Sequence, residues 1–127
     1  MRVFETKWFA RFARKEKIEA SQLHEAVARA ERGSVDADLG GGLVKQRVAR
    51  RGSGRSGGFR KVIACRAKTR SVSLFGFAKN ALDNIDGEDL DVLKKLAKRF
   101  LAMSDEDLAK ALTAKELIEA GHDDEGD

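Results

Sequence analysis

With 127 residues and 42% hydrophobic side chains, the chain has the length of one domain and can bury a modest core, which excludes a wholly disordered protein. A single cysteine, Cys65, excludes an intramolecular disulfide, and no apolar run approaches the roughly 18 residues of a membrane span; with no secretory leader at its start, a cytoplasmic protein with no membrane partner is expected. The net charge of +4 conceals a split, with 19 Lys and Arg against 7 Asp and Glu in residues 1–80, and 6 against 14 in residues 81–127. A basic half of that strength points to a polyanionic ligand.

In chain order, Val3-Phe4-Glu5-Thr6 reads as a short edge strand. Trp8, Phe9, Phe12 and Ala13 follow at helical spacing and form an apolar face expected in the core. Ser21 can cap a second helix, with Leu23, Val27 and Ala30 on its inner face and Gly33 as its stop. His24 has no His, Cys or acid at ligand spacing and belongs to the surface. Gly40-Gly41-Gly42 then breaks the chain ahead of three strand-like runs, Leu43 to Ala49, Phe59 to Arg66 and Ser71 to Lys79. Between the first two, Gly52-x-Gly54-x-x-Gly57 matches a dinucleotide fingerprint in letters only. A strand follows where a helix is needed, and no acid lies about twenty residues on. A flexible basic hairpin loop accounts for it better. Cys65 sits inside the second run, as a buried and inert thiol would.

Asp86 with Asp89 marks a helix start, and Leu90, Leu93, Leu96, Ala97, Phe100 and Leu101 form its apolar stripe. Ser104 with Asp107 repeats the signal ahead of Leu108 and Leu112, and Thr113 with Glu116 suggests a third short helix through Leu117 and Ile118. Gly121 and the acidic end, Asp123-Asp124-Glu125-Gly126-Asp127, should fray. The pattern predicts an α+β domain: an antiparallel sheet of three to five strands, two N-terminal helices on one face, and a helix from about Asp86 to Leu101 covering the other.

The chemistry concentrates between Leu39 and Leu82, where eleven basic residues occur without one Asp or Glu. Solvated faces normally mix both signs, so this stretch should bind a polyanion. Strand alternation sets Lys45 and Arg47 on one face and Phe77 with Lys79 on one face, while Arg60 opens the strand between. The stretch has no acid to hold a metal and no His, so neither a metal site nor a cofactor is expected.

Several runs carry a family resemblance: Lys7-Trp8-Phe9, Asp38-Leu39-Gly40-Gly41-Gly42-Leu43-Val44-Lys45-Gln46-Arg47, Gly54-Arg55-Ser56-Gly57-Gly58-Phe59-Arg60 and Phe75-Gly76-Phe77-Ala78-Lys79-Asn80. In these the chain resembles the RelE/ParE superfamily of toxins, most closely its HigB-like branch, over residues 1–103; residues 104–127 would form a C-terminal helical extension and acidic tail. The resemblance implies a small antiparallel sheet packed against two N-terminal helices. It also implies a ribosome-dependent mRNA endonuclease, an mRNA interferase, neutralised by a cognate antitoxin of the helix-turn-helix, HigA-like kind. RNA carries its own nucleophile, the 2′-hydroxyl, so cleavage needs no metal. On this reading Lys45, Arg47, Arg60 and Lys79 surround the scissile phosphate, with Arg60 on the transition-state charge and Lys45 or Lys79 as base. Arg50, Arg51 and Arg55 hold backbone, Phe77 stacks on a base, and Asn80 completes the RNA-binding set. The chain departs from many relatives in having no Tyr, and its two His, His24 and His122, lie outside the basic stretch. Two alternatives remain at this level: a ParE-like inhibitor that blocks DNA gyrase by binding, and a nucleic-acid-binding module without a toxin role.

Overall fold

The computed structural model describes residues 1–49, 59–77 and 86–121. The chain runs β1 (Arg2–Thr6), α1 (Lys7–Glu16), α2 (Ala20–Glu31), β2 (Ala37–Gly40), β3 (Leu43–Ala49), β4 (Phe59–Arg66), β5 (Arg70–Phe77), α3 (Gly87–Ala102), α4 (Asp105–Thr113) and β6 (Leu117–Glu119). The strands form one sheet in the order β2-β3-β4-β5-β1-β6. This is the α+β architecture expected, with α1 and α2 on one face and α3 and α4 on the other.

Two helix starts follow the sequence signals closely. The Asp86 carboxylate accepts from the Asp89 N–H at 2.8 Å, and the Ser104 hydroxyl accepts from the Asp107 N–H at 3.0 Å, each satisfying an amide that the helix itself leaves unpaired. The second helix departs from its signal: its N-cap is Glu19, whose N–H donates to the Gln22 side chain at 2.6 Å, and Ser21 lies inside the first turn. At the helix exit Gly33 takes φ +84°, a left-handed conformation in which a Cβ is strained.

Each face of the sheet has its own core. Phe9, Ala13, Ile18, Leu23 and Ala26 meet Val3, Val48 and Val62 on the α1/α2 side. On the other side Leu93, Ala97, Phe100, Leu108 and Ala111 pack over Phe4, Leu43, Ile63, Cys65, Val72, Leu74 and Leu117. Burial on both faces explains why β4 and β5 read as apolar runs with little alternation.

The sheet corrects three expectations. Among the described residues it has six strands, one more than the upper bound expected. β1 is interior, parallel to β5 and antiparallel to β6, and so not an edge. The adjacent Val3 and Phe4 point into opposite cores and are both almost fully buried, as a central strand requires. A parallel partner needs a long crossover, and α1 with α2 begins the one that separates β1 from β5. Finally, Leu117–Glu119 is a strand where a helix was expected. The Thr113–Glu116 signal falls where α4 ends, Lys115 turns at φ 60°, and Leu117 becomes buried against the sheet. Tertiary burial here overrides a local start signal.

Candidate functional site: a basic and aromatic sheet face

Register decides which cations meet. In β3, Gln46 faces α2, donating to the Ala26 carbonyl at 2.6 Å, and Val48 joins the same core; Leu43 belongs to the opposite core. Alternation therefore turns Lys45 and Arg47 toward the α3 side. Arg47 pairs with Lys61 of β4, and Lys61 pairs with Phe77 of β5. One row inward, Lys45 pairs with Ile63, and Ile63 with Phe75. Arg47, Lys61 and Phe77 thus form a continuous row across three strands, with Phe77 packed against the core that Leu93, Ala97 and Phe100 share. The Arg47 side chain is 59% exposed, with its guanidinium 3.5 Å from Asp36.

The aromatic half of this row depends on a bulge. The pairing of β4 with β5 shifts between Ile63 and Ala64, so Ile63 faces Phe75 while Ala64 faces Ser73. The extra residue reverses the alternation of β5. Before it, Ser71 and Ser73 line the interior under α2 and Val72 lies in the α3 core; after it, Phe75 and Phe77 pack on the α3 side. Gly76 then points at α1, where an added Cβ would lie 2.1 Å from the Phe12 ring, so only glycine permits this approach.

Thr6 sets the end of this surface. Its hydroxyl donates to the Leu74 carbonyl at 2.9 Å and accepts from the Phe9 N–H at 3.1 Å, tying β1 to β5 and starting α1 in the same place. Trp8 is thereby carried over Phe75, the two rings stacked 5.9 Å apart and 11° from parallel. Phe9 and Ala13 are buried and Phe12 is half-buried, as the apolar face predicted; Trp8 is not core and stays 47% exposed. A helical wheel cannot foresee this, because Trp8 lies in the first turn and its neighbour is set by the strand pairing.

Other basic residues of the stretch serve the fold. Arg60 lies on the opposite face from Lys45 and Arg47, its Nε 2.5 Å from the Glu16 carboxylate, with both side chains largely buried. The expectation that nothing nearby neutralises Arg60 is therefore corrected: the acid comes from α1, distant in sequence. Arg66 lines the interior under α2, and Arg70 is buried and donates to the Phe100 carbonyl at 2.9 Å, holding the end of α3. Lys61, which the sequence reading did not single out, is the residue that register brings between Arg47 and Phe77. Arg50, Arg51, Arg55, Lys79 and Asn80 lie outside the described residues, as do His122 and the acidic end.

Burial pushes the Cys65 thiol up to about 12, so it is protonated and inert at neutral pH. Among the described residues no three His, Cys, Asp or Glu side chains converge as metal ligands, and no helix is long and apolar enough to cross a membrane. A groove of about 460 Å³ between α3 and α4 lies away from the basic row and is lined by Arg99, Met103, Asp107, Lys110 and Glu116. The Arg99–Glu116 ion pair spans two of these residues.

A family model described as the RelE toxin of the RelE/RelB toxin–antitoxin system matches residues 1–120. No curated protein matches the chain. That match runs from β1 past β6, through both cores and the basic row, and the chain accordingly belongs to the RelE toxin family: it is the toxin of a toxin–antitoxin system, with an antitoxin as its partner.

Proposed function

We propose that this toxin is a metal-independent mRNA endonuclease of the HigB-like kind, acting on messenger RNA at the ribosome. The observation that carries the reading is the row Arg47–Lys61–Phe77 with Lys45 beside it: cations for phosphate and an aromatic ring for a base on one sheet face. A lysine that has lost its proton takes the proton of the 2′-hydroxyl. The 2′-oxygen bonds to the adjacent phosphorus, the bond from phosphorus to the 5′-oxygen breaks, and a second ammonium protonates that oxygen. Products carry a 2′,3′-cyclic phosphate and a 5′-hydroxyl. Lys45, Lys61 and Lys79 are the candidates for the two proton transfers. Arg47 takes the transition-state charge, because its planar fork is exposed on this face. Arg60, paired to Glu16 on the other face, has a positioning role in this scheme, holding β4 against α1.

The ribosome supplies the substrate in this reading, and a helix-turn-helix, HigA-like antitoxin covers the basic face with an acidic segment. Charge complementarity between that face and such a segment supports it. Arg50, Arg51, Arg55 and Asn80 extend the contact to RNA backbone.

Single-turnover cleavage of ribosome-bound mRNA tests the scheme. Arg47→Ala should slow the chemical step by about 10²–10³, the scale of one lost oxyanion donor, with binding reduced far less. Lys61→Ala should lower the rate on the same folded protein. Cleavage of RNA whose scissile 2′-hydroxyl is replaced by hydrogen would overturn the chemistry. A loss confined to Arg60→Ala in a folded protein would return the charge-stabilising role to Arg60. Growth arrest with DNA-damage signalling and intact mRNA would favour the gyrase-blocking alternative.

A further inference from the structure

Trp8 is the chain's single tryptophan and, among the described residues, one of the most exposed large apolar side chains. An isolated exposed indole needs no explanation. Here, however, the ring has two neighbours of its own and projects from an anchored helix start. Thr6 pins the helix start from which it projects, Phe75 stacks against it in near-parallel geometry, and the Lys7 ammonium lies 5.9 Å from its ring centroid. Phe75 in turn belongs to the same face as Phe77 and Lys61. The stack therefore continues the basic row with a rigid aromatic step and one more cation.

Resting on the RNA-cleaving reading above, we propose that Trp8, backed by Phe75, is a stacking platform for a nucleobase of single-stranded RNA flanking the cleaved bond, with Lys7 placed for that nucleotide's phosphate. The physical case is that stacking on an indole requires an unpaired base but tolerates any of the four, because every base presents a π-face. Phe75 keeps the indole from collapsing onto the sheet, so little conformational freedom is lost when a base arrives. Lys7 beside the indole, and Lys61 and Arg47 farther along the same sheet face, complement the phosphates that must accompany the base. Trp8 contributes affinity and placement; it does not read sequence and takes no part in proton transfer.

Because Trp8 is the only tryptophan, its fluorescence reports this site alone. The experiment titrates the full-length toxin with a short single-stranded 2′-O-methyl oligoribonucleotide, which cannot be cleaved, and with a strand of the same length carrying abasic residues. The base-bearing strand should quench Trp8 saturably, and the abasic strand should bind through its phosphates without quenching. By anisotropy of a labelled strand, Trp8→Leu should weaken binding about ten-fold and Trp8→Phe should retain most of the affinity. If Trp8→Leu fails to fold, the quenching titration of the unsubstituted toxin with the base-bearing and abasic strands decides by itself. Equal affinity for both strands, with no quenching and no effect of Trp8→Leu, would overturn the platform while leaving the RNA-cleaving reading intact. If neither strand binds and mRNA is not cleaved, the reading and the platform fall together. Quenching of Trp8 by an antitoxin but not by RNA would assign the stack to the antitoxin instead.

Discussion

Cys65 shows how burial decides chemistry at the scale of one residue. It is fully buried, and desolvation raises its thiol to about 12, from an ordinary value of 9.0. A group held protonated in the fold but free to ionise when unfolded contributes stability that is fully present below the unfolded value. That contribution declines as pH rises from 9 toward 12, because only the unfolded chain releases the proton. Wild-type stability should therefore fall more steeply with pH than that of Cys65→Ala, by about 1.4 kcal/mol per pH unit within this window. Urea unfolding of both proteins at several alkaline pH values checks it, and parallel slopes would contradict it. The cations divide in the same way. Arg70 is spent on the Phe100 carbonyl and Arg60 on Glu16, whereas Arg47 keeps most of its surface in water.

At the scale of elements, α4 and β6 are part of the folded body. Leu108, Ala111 and Leu117 share a core with Phe4, Leu74 and Phe100, and Arg2 binds Glu119 through two hydrogen bonds of 2.9 and 3.0 Å across β1 and β6. Cutting the chain after Met103 should uncover Phe4 and leave β1 as an exposed edge, which invites pairing with another copy. The shortened protein is expected to aggregate or self-associate by size-exclusion chromatography, and Leu117→Ala in the full chain should lose about 2–4 kcal/mol in urea unfolding. A monomeric, fully stable shortened chain would show that β6 is dispensable. The β5 bulge matters for function in the same way, since it turns Phe75 and Phe77 to the face that carries Lys45, Arg47 and Lys61.

Across the whole molecule, charge is segregated, with residues 1–80 strongly basic and residues 81–127 acidic. On the proposal that an acidic antitoxin segment covers the basic face, complex affinity should fall as salt rises, since exposed charges are screened over about 10 Å at 0.1 M salt. Calorimetric titration of toxin with antitoxin at low and high salt measures this. Binding indifferent to salt would place the antitoxin on another, more apolar surface.

Local pattern was enough for much of this protein. Strands Leu43–Ala49 and Phe59–Arg66 have the bounds expected from apolar runs, and Asp86 and Ser104 cap the helices they announce. These features depend on contacts within a few residues, which sequence spacing encodes directly. The basic stretch was legible for a related reason, because charge composition survives any folding. The assembly of the site was not legible in the same way. Which cations share a face depends on strand register, and one bulge reverses every side chain beyond it. The partner of Arg60 comes from a helix more than forty residues earlier, and the exposure of Trp8 follows from where Thr6 meets Leu74. Burial on both faces of β4 and β5 erases the alternation that would have distinguished Arg60 from Lys61. Local chemistry therefore determined the elements and the class of ligand, while only the packing of distant segments decided which side chains stand together to meet it.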